Sequence, residues 1–172
     1  MHIRMATELD AEPLLRLLRT VASKGGLSRT PEEIHATYVR MLLEKSLRTG
    51  FCLVMDHPDG SDERVACVWC HRAEADQNKH VLRDLLVAVH PDFQRQKRGR
   101  TLLTILLEEI SLNHPTVGKV ELTVREDNAT VLALYASLGF HIEGRLEMRA
   151  RTPEGTYLAE IIMSWQNPNF EF

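Results

Sequence analysis

Four cations crowd seven residues in the middle of the chain, Gln94-Arg95-Gln96-Lys97-Arg98-Gly99-Arg100. The segment follows an apolar run, Leu85 to Val89, and opens a stretch with helical periodicity. The start of a helix has backbone N–H groups without intrahelical acceptors and a partial positive charge. Cations are unfavourable there, and a sequence that breaks a local rule points to a functional site. A bound polyanion, such as a pyrophosphate with a further phosphate, relieves the conflict. Taken alone, the cluster reads equally well as a solvated basic turn. The preceding strand and Gly99 favour phosphate.

A second segment runs Asn128-Ala129-Thr130-Val131-Leu132-Ala133-Leu134-Tyr135-Ala136-Ser137-Leu138-Gly139-Phe140. Asn128 suits a helix N-cap. Tyr135 lies seven residues on, about two helical turns, so both face one side. A phenol placed there can give a proton to a leaving group. The plainer reading of a helical tyrosine is packing.

These segments need elements to position them. Ile3 to Met5 has the pattern of a short strand. Thr7 with Asp10 forms an imperfect capping box before Leu14, Leu15, Leu17, Leu18 and Val21 at helical spacing. Gly25-Gly26 breaks that helix. Thr30-Pro31-Glu32-Glu33 predicts a second one, capped by Thr30, running through Ile34, Tyr38, Met41 and Leu42 to near Gly50. Phe51 to Met55 and Arg64 to His71 read as a hairpin around the turn cluster Asp56 to Asp62. Leu82 to Val89 is a strand, apolar on both faces over Leu85 to Val89, and Pro91 stops it. Arg98 to Asn113 is an amphipathic helix with Leu102, Leu103, Ile105, Leu106 and Ile110 inward. A strand over Val117 to Val124, a helix over Asn128 to Leu138 closed by Gly139, and strands over Phe140–Arg149 and Tyr157–Trp165 complete the order. The last two are joined by a turn at Thr152-Pro153-Glu154-Gly155. The class is α/β (α+β), with a mixed, mostly antiparallel sheet and helices on both faces. Residues 1–172 form one domain.

Together the two segments resemble the GNAT family of N-acetyltransferases, over about His80 to Met163. Val87-Ala88-Val89-His90-Pro91-Asp92-Phe93 is similar to the family's central strand and its exit. Gln94 to Gly99 is similar to its pyrophosphate loop. Asn128, Ala129, Leu134, Tyr135, Gly139 and Phe140 are similar to its late helix motif. Glu143-Gly144-Arg145-Leu146, Gly155-Thr156-Tyr157 and Met163 resemble branches that acetylate small amines, amino acids or protein N-termini. Lys97 departs from the pattern, standing where the family has the first glycine of the loop. A side chain there crowds the cofactor, or strains the loop if the backbone needs a positive φ.

The resemblance implies an acyl-CoA N-acyltransferase fold with two central strands splayed apart, the pantetheine arm pairing between them like an added strand. It implies acetyl-CoA as co-substrate and no metal. The implied cofactor-binding residues are Val87, Ala88, Val89, Gln94, Arg95, Gln96, Lys97, Arg98, Gly99, Arg100, Thr101, Asn128 and Tyr135. Backbone N–H groups of Val87 to Val89 are the expected oxyanion donors. Tyr135 is the expected acid that reprotonates the CoA thiolate, a leaving group comparable to a cysteine thiol of pKa about 8.5. A lysine-like amine, with a pKa of about 10.4, must first lose a proton. Glu121 is the first candidate base; Glu143, Glu147, Asp84 and His90 are others. Leu27 to Arg40 is the expected acceptor wall, or plain surface.

The remaining signals exclude other chemistry. Cys67-Val68-Trp69-Cys70-His71 has the letters of a haem attachment site, but it lies within a strand, where residues three apart face opposite sides. No second cysteine pair completes a zinc site. The basic loop lacks the Gly-Lys-Ser/Thr ending of a nucleotide P-loop, and Ser23, Ser28 and Ser137 sit in no nucleophile elbow. The 172 residues, 44% hydrophobic and 26% charged with net charge −3, give a globular balance and no basic excess calling for nucleic acid. No apolar run approaches the roughly 18 residues of a membrane span, and Met1 to Glu8 is no signal peptide. The expected compartment is the cytoplasm, with Cys52, Cys67 and Cys70 reduced. Three readings stay open: acetyltransferase for a small amine, acetyltransferase for protein N-termini or lysines, and non-catalytic acyl-CoA-binding module. A homodimer is the assembly that family habit suggests.

Overall fold

The structure is a computed structural model describing residues 2–152 and 154–171. Its strands are β1 (Ile3–Met5), β2 (Gly50–Asp56), β3 (Arg64–Arg72), β4 (Val81–Val89), β5 (Lys119–Arg125), β6 (His141–Arg151) and β7 (Tyr157–Gln166). Its helices are α1 (Ala11–Ser23), α2 (Ala36–Thr49), α3 (Arg98–Asn113) and α4 (Ala129–Ser137). The strands pair in the order β1-β2-β3-β4-β5-β7-β6. The β1–β2, β2–β3, β5–β7 and β6–β7 ladders are antiparallel and β4–β5 is parallel, a mixed and mostly antiparallel sheet. The chain groups into two compact units, Met1–Arg72 with Leu86–Glu108, and Ala73–Leu85 with Glu109–Phe172.

In the first unit β2 and β3 are buried almost end to end. Both faces of these strands are therefore covered, which is why they read as apolar runs without alternation. On one face Cys52, Val54, Cys67 and Trp69 pack with Leu14, Leu17 and Leu18 of α1 and Val39 and Leu43 of α2. Successive strand side chains alternate faces. Met55, one residue after Val54, accordingly meets Arg98 at the start of α3. All three cysteines are buried, and burial pushes the Cys52 and Cys70 thiols up to about 12 and Cys67 well above the ordinary thiol value.

A polar network fastens the first turn to the sheet. Asp10 has no exposed surface. Its carboxylate accepts hydrogen bonds from Arg64 Nε at 2.7 Å, from Arg4 Nη1 and Nη2 at 2.9 Å each, and from the Thr7 amide at 2.8 Å. Burial alone would raise the carboxyl's pKa. The hydrogen bonds from Arg4, Thr7 and Arg64 outweigh it and hold the group well below the usual carboxylate range.

Two sequence expectations are corrected here. The second helix begins at Ala36 rather than near Pro31. Glu33 does reach back to the Thr30 amide, at 2.8 Å, but this closes a turn. Arg19 Nε donates to the Ile34 carbonyl at 2.8 Å, and the Tyr38 amide donates to His35 Nδ1, which caps α2 instead. Strand β4 is less covered than its apolar run suggests. Leu82, Leu85 and Ala88 are buried, Arg83 and Asp84 are exposed, and Leu86, Val87 and Val89 are half-buried. Asp84 has φ 55°, and the alternation breaks there, with Arg83 and Asp84 both exposed.

In the second unit the parallel ladder pairs Val81 with Lys119 and Leu82 with Val120. Strand β7 lies between β5 and β6, and β6 is exposed along most of its length. Of the expected β6–β7 turn, Pro153 lies outside the described residues, and Gly155 has φ 89°. Among the described residues no helix is long and apolar enough to cross a membrane, and no cluster of His, Cys, Asp or Glu is arranged to hold a metal.

Candidate active site

The first unit holds the basic loop. After β4, a short 3-10 turn over Pro91–Phe93 is capped by His90, whose Nδ1 accepts from the Asp92 amide at 3.3 Å. Gln94 Nε2 donates back to the Val89 carbonyl at 3.1 Å, tying the loop to the strand end. Gln96 Nε2 donates to the Asp92 carbonyl at 3.3 Å. Arg95 and Lys97 both hold left-handed backbone, φ 59° and 60°. The conditional reading of Lys97 therefore resolves: a non-glycine side chain stands where φ is positive, a conformation disfavoured by roughly 1–2 kcal/mol. Left-handed residues at such spacing build turns whose amides form anion-binding concavities.

The ladder of α3 begins with the Thr101 amide donating to the Lys97 carbonyl at 2.9 Å, reinforced by Thr101 Oγ1 at 3.1 Å. The amides of Arg98, Gly99 and Arg100 thus belong to the first turn, ahead of the helix's own acceptors. Gly99 stands over β4. A Cβ added there would lie 3.4 Å from Val89 Cγ2 and 3.6 Å from Val87 Cγ2.

The four cations separate into two roles. Arg95, Lys97 and Arg100 are exposed. Arg98 is half-buried, its Nη2 donating to Gln96 Oε1 at 2.8 Å and its guanidinium 5.1 Å from the centre of the Phe93 ring. Arg98 therefore braces the loop from within, which spacing alone does not disclose.

The same unit contains a cavity of about 130 Å³. Five of its lining residues, Leu27, Ser28, Arg29, Ile34 and Tyr38, come from the stretch expected to form an acceptor wall. Leu18, Trp69 and Leu86 complete it. Sequence reasoning missed these three, because strand and helix residues far apart in the chain meet here only through packing.

The second unit holds the late helix motif. Asn128 caps α4, its side chain accepting from the Val131 amide at 3.3 Å. Gly139 ends the helix at φ 90°. The Phe140 amide returns to the Tyr135 carbonyl at 3.1 Å, and the two rings meet edge to face at 5.2 Å. Tyr135 is 3% exposed, and burial raises its phenol pKa above the ordinary tyrosine value. An unshifted phenol, of pKa about 10, is likewise protonated at neutral pH, and the shift makes this one a weaker acid.

Glu121 lies on β5 opposite Ser164 of β7. Its Oε1 is 2.8 Å from Lys119 Nζ, which also donates to Glu143 Oε2 at 2.6 Å. Burial opposes the charge on Lys119, but these hydrogen bonds outweigh it and raise the ammonium's pKa. Hydrogen bonds from Lys119 and from Ser164 Oγ lower that of Glu143. Glu121 is thus ion-paired through Oε1. The other candidate bases are also engaged: Glu147 with Arg145, Asp84 with Arg83, and His90 in its cap.

Comparisons with known proteins agree on kind. A family model described as an Acetyltransferase (GNAT) domain matches residues 48–142. Over 55 residues, 32% of this chain, the sequence is 49% identical to the [Ribosomal protein bS18]-alanine N-acetyltransferase of Escherichia coli (strain K12). That match spans 36% of the relative's length, about a third. The crystal structure of a ribosomal-protein-alanine N-acetyltransferase from Brucella melitensis superposes with TM-score 0.80 and 24% identity, covering 96% of this chain and 99% of that one. The structure of yncA from Salmonella typhimurium, solved with its cofactor acetyl-CoA, superposes with TM-score 0.83 and 20% identity, covering 100% and 95%. At these identities the structural likeness is one of fold.

Proposed function

Because this chain belongs to the GNAT acetyltransferase family, we propose that it transfers an acetyl group from acetyl-CoA to a primary amine. The observation that carries the reading is the loop from Gln94 to Gly99. It follows β4 directly, places Arg95 and Lys97 in left-handed backbone and delivers the chain into the first turn of α3. Exposed cations, first-turn amides and a glycine beside Val87 and Val89 suit a pyrophosphate.

Acetyl-CoA supplies an acyl group activated as a thioester. Arg95, Lys97, Arg100 and the amides around Gly99 hold its phosphates. The backbone from Val87 to Val89, where Val87 and Val89 are half-buried, is the stretch that offers hydrogen bonds to the pantetheine arm and the thioester oxygen. The reaction exchanges one N–H bond for N–C and one C–S bond for S–H. One proton must leave the amine and one must reach the sulfur. Tyr135 gives the second from its phenol oxygen. Its phenolate is then restored by the proton that the amine released. The first proton leaves through water or through a carboxylate such as Glu121, which is ion-paired with Lys119.

The acceptor we favour is a small amine, because the cavity lined by Tyr38 and Trp69 matches a compact group rather than an extended chain. A second reading, acetylation of a protein N-terminus, is favoured by the relatives named for ribosomal-protein alanine. Calorimetric titration with acetyl-CoA, with ATP as control, tests the cofactor half. Thiol release with free amino acids, polyamines and an alanine-initiated peptide then separates the acceptors. Saturable binding of acetyl-CoA alone with release driven by small amines supports the first reading. Release driven only by the peptide supports the second. Binding without release from any amine leaves a non-catalytic acyl-CoA module, and no binding removes the assignment.

A further inference from the structure

The cavity is lined mostly by apolar side chains and by one cation, Arg29. Leu18, Ile34, Trp69 and Leu86 supply apolar surface. Its volume of about 130 Å³ is of the order of an engineered cavity of about 150 Å³ that takes up benzene. The group it fits is a branched alkyl or a single aromatic ring.

Arg29 supplies the cation. Its guanidinium carbon lies 4.4 Å from the centre of the Tyr38 ring. Stacking on an aromatic face fixes the plane of the guanidinium fork, whose geometry matches a carboxylate with two parallel hydrogen bonds. Among the described residues Arg29 has no carboxylate at ion-pair distance, whereas Arg4, Arg16, Arg64, Arg125, Arg145 and Arg149 each have one. Arg29 is thus an exposed cation that lines the cavity and is stacked on Tyr38.

Location ties the cavity to acyl transfer. Leu86 lines it and immediately precedes Val87 to Val89, the strand assigned to the thioester. An occupant of the cavity borders that strand.

We propose that the acceptor is a free amino acid with a branched or aromatic side chain, its carboxylate paired with Arg29 and its side chain in the cavity. The proposal rests on the acetyl-transfer reading and narrows it. A peptide N-terminus carries an amide where the free amino acid carries a carboxylate, so it leaves Arg29 without its partner. This is the reason to favour the free amino acid over a protein substrate.

The test compares leucine, leucinamide and an alanine-initiated peptide. The chain has two tryptophans, Trp69 and Trp165. A Trp165→Phe variant therefore isolates the cavity indole as a fluorescence reporter, titrated in the presence of CoA. The expected result is saturable change with leucine and about 10-fold weaker binding of leucinamide, the difference a charged hydrogen-bonded pair typically makes. Arg29→Gln should bring leucine down to the leucinamide level and leave acetyl-CoA affinity unchanged. In turnover, the same variant should raise KM for leucine about 10-fold with little change in kcat. Equal binding of acid and amide, no response of Trp69 to any amino acid, or preferred turnover of the peptide each overturns the proposal. Weaker acetyl-CoA binding in Arg29→Gln also overturns it, by giving the cation to the cofactor. Failure of the unaltered protein to bind acetyl-CoA overturns the transfer reading itself, whatever Trp69 reports.

Discussion

Arg95 and Lys97, two residues apart in one loop, share the same left-handed backbone, φ 59° and 60°. Neither is a glycine, so the loop stores backbone strain at both positions. Lys97→Gly should relieve about 1 kcal/mol of it, partly offset by the greater freedom of glycine in the unfolded chain. We expect a melting temperature that is unchanged or a few degrees higher. Loss of the ammonium should raise the acetyl-CoA dissociation constant several-fold at low salt, with the difference shrinking as salt screens it. A salt-independent change would assign Lys97 a steric role instead.

Gly99→Ala separates folding from ligand binding. The added methyl would make ordinary contacts with Val89 and Val87. Alanine is favoured over glycine in a helix by up to about 1 kcal/mol. Thermal stability should hold or rise. Acetyl-CoA affinity should fall about 10-fold if the backbone must approach a pyrophosphate closely. Unaltered affinity in titration calorimetry would place the phosphates elsewhere.

Tyr135→Phe removes a hydroxyl and keeps the ring that meets Phe140. We expect turnover to fall about 10²–10⁴-fold, the range for loss of a general acid, with acetyl-CoA affinity preserved. Because burial raises the phenol's pKa, the unaltered enzyme should not lose this acid as pH passes the ordinary tyrosine value of about 10. An alkaline fall in kcat that starts near there and disappears in Tyr135→Phe would contradict that environment.

Asp10→Asn should destabilise the fold by about 3–5 kcal/mol, since it removes the buried carboxylate shared by Arg64 and Arg4 and leaves Arg64 only the more exposed Asp56 and Asp62. The pH dependence has a defined sign. The folded-state pKa of Asp10 lies below its unfolded value, so the unfolded chain binds the proton more readily. Its stabilisation is present above the unfolded value of about 3.9 and is lost progressively as pH falls from there through the lower folded-state value. Acid denaturation curves of the two proteins should therefore converge below about pH 4. Parallel curves would mean that Asp10 acts through packing alone.

Much of the fold was legible because period and punctuation agree. The alternation break at Gly25-Gly26, the cap at Asn128 and the stop at Gly139 all fall where local rules put them. Local rules failed at the start of α2. Thr30 and Glu33 make half of their capping box, but Arg19 occupies the Ile34 carbonyl that a continuing helix would use. That contact joins residues fifteen apart and has no local signature. The left-handed backbone at Asp84 is equally silent, because no glycine marks its positive φ. In the candidate site, the loop and Tyr135 were legible as types at a spacing. The division of labour between Arg98 and its neighbours was not, since it depends on where Phe93 falls. Nor did the sequence disclose that Lys119 holds Glu121.

The three buried thiols have a practical bearing on all of these measurements. Cys52, Cys67 and Cys70 are inaccessible and held in their unreactive protonated form. A disulfide reagent added to the native enzyme should therefore register released coenzyme alone, with no protein background to subtract. In a destabilised variant the same reagent becomes a folding gauge, since each unfolded chain contributes three new equivalents of colour. One spectrophotometric trace then reads catalysis from its slope and structural integrity from its starting value.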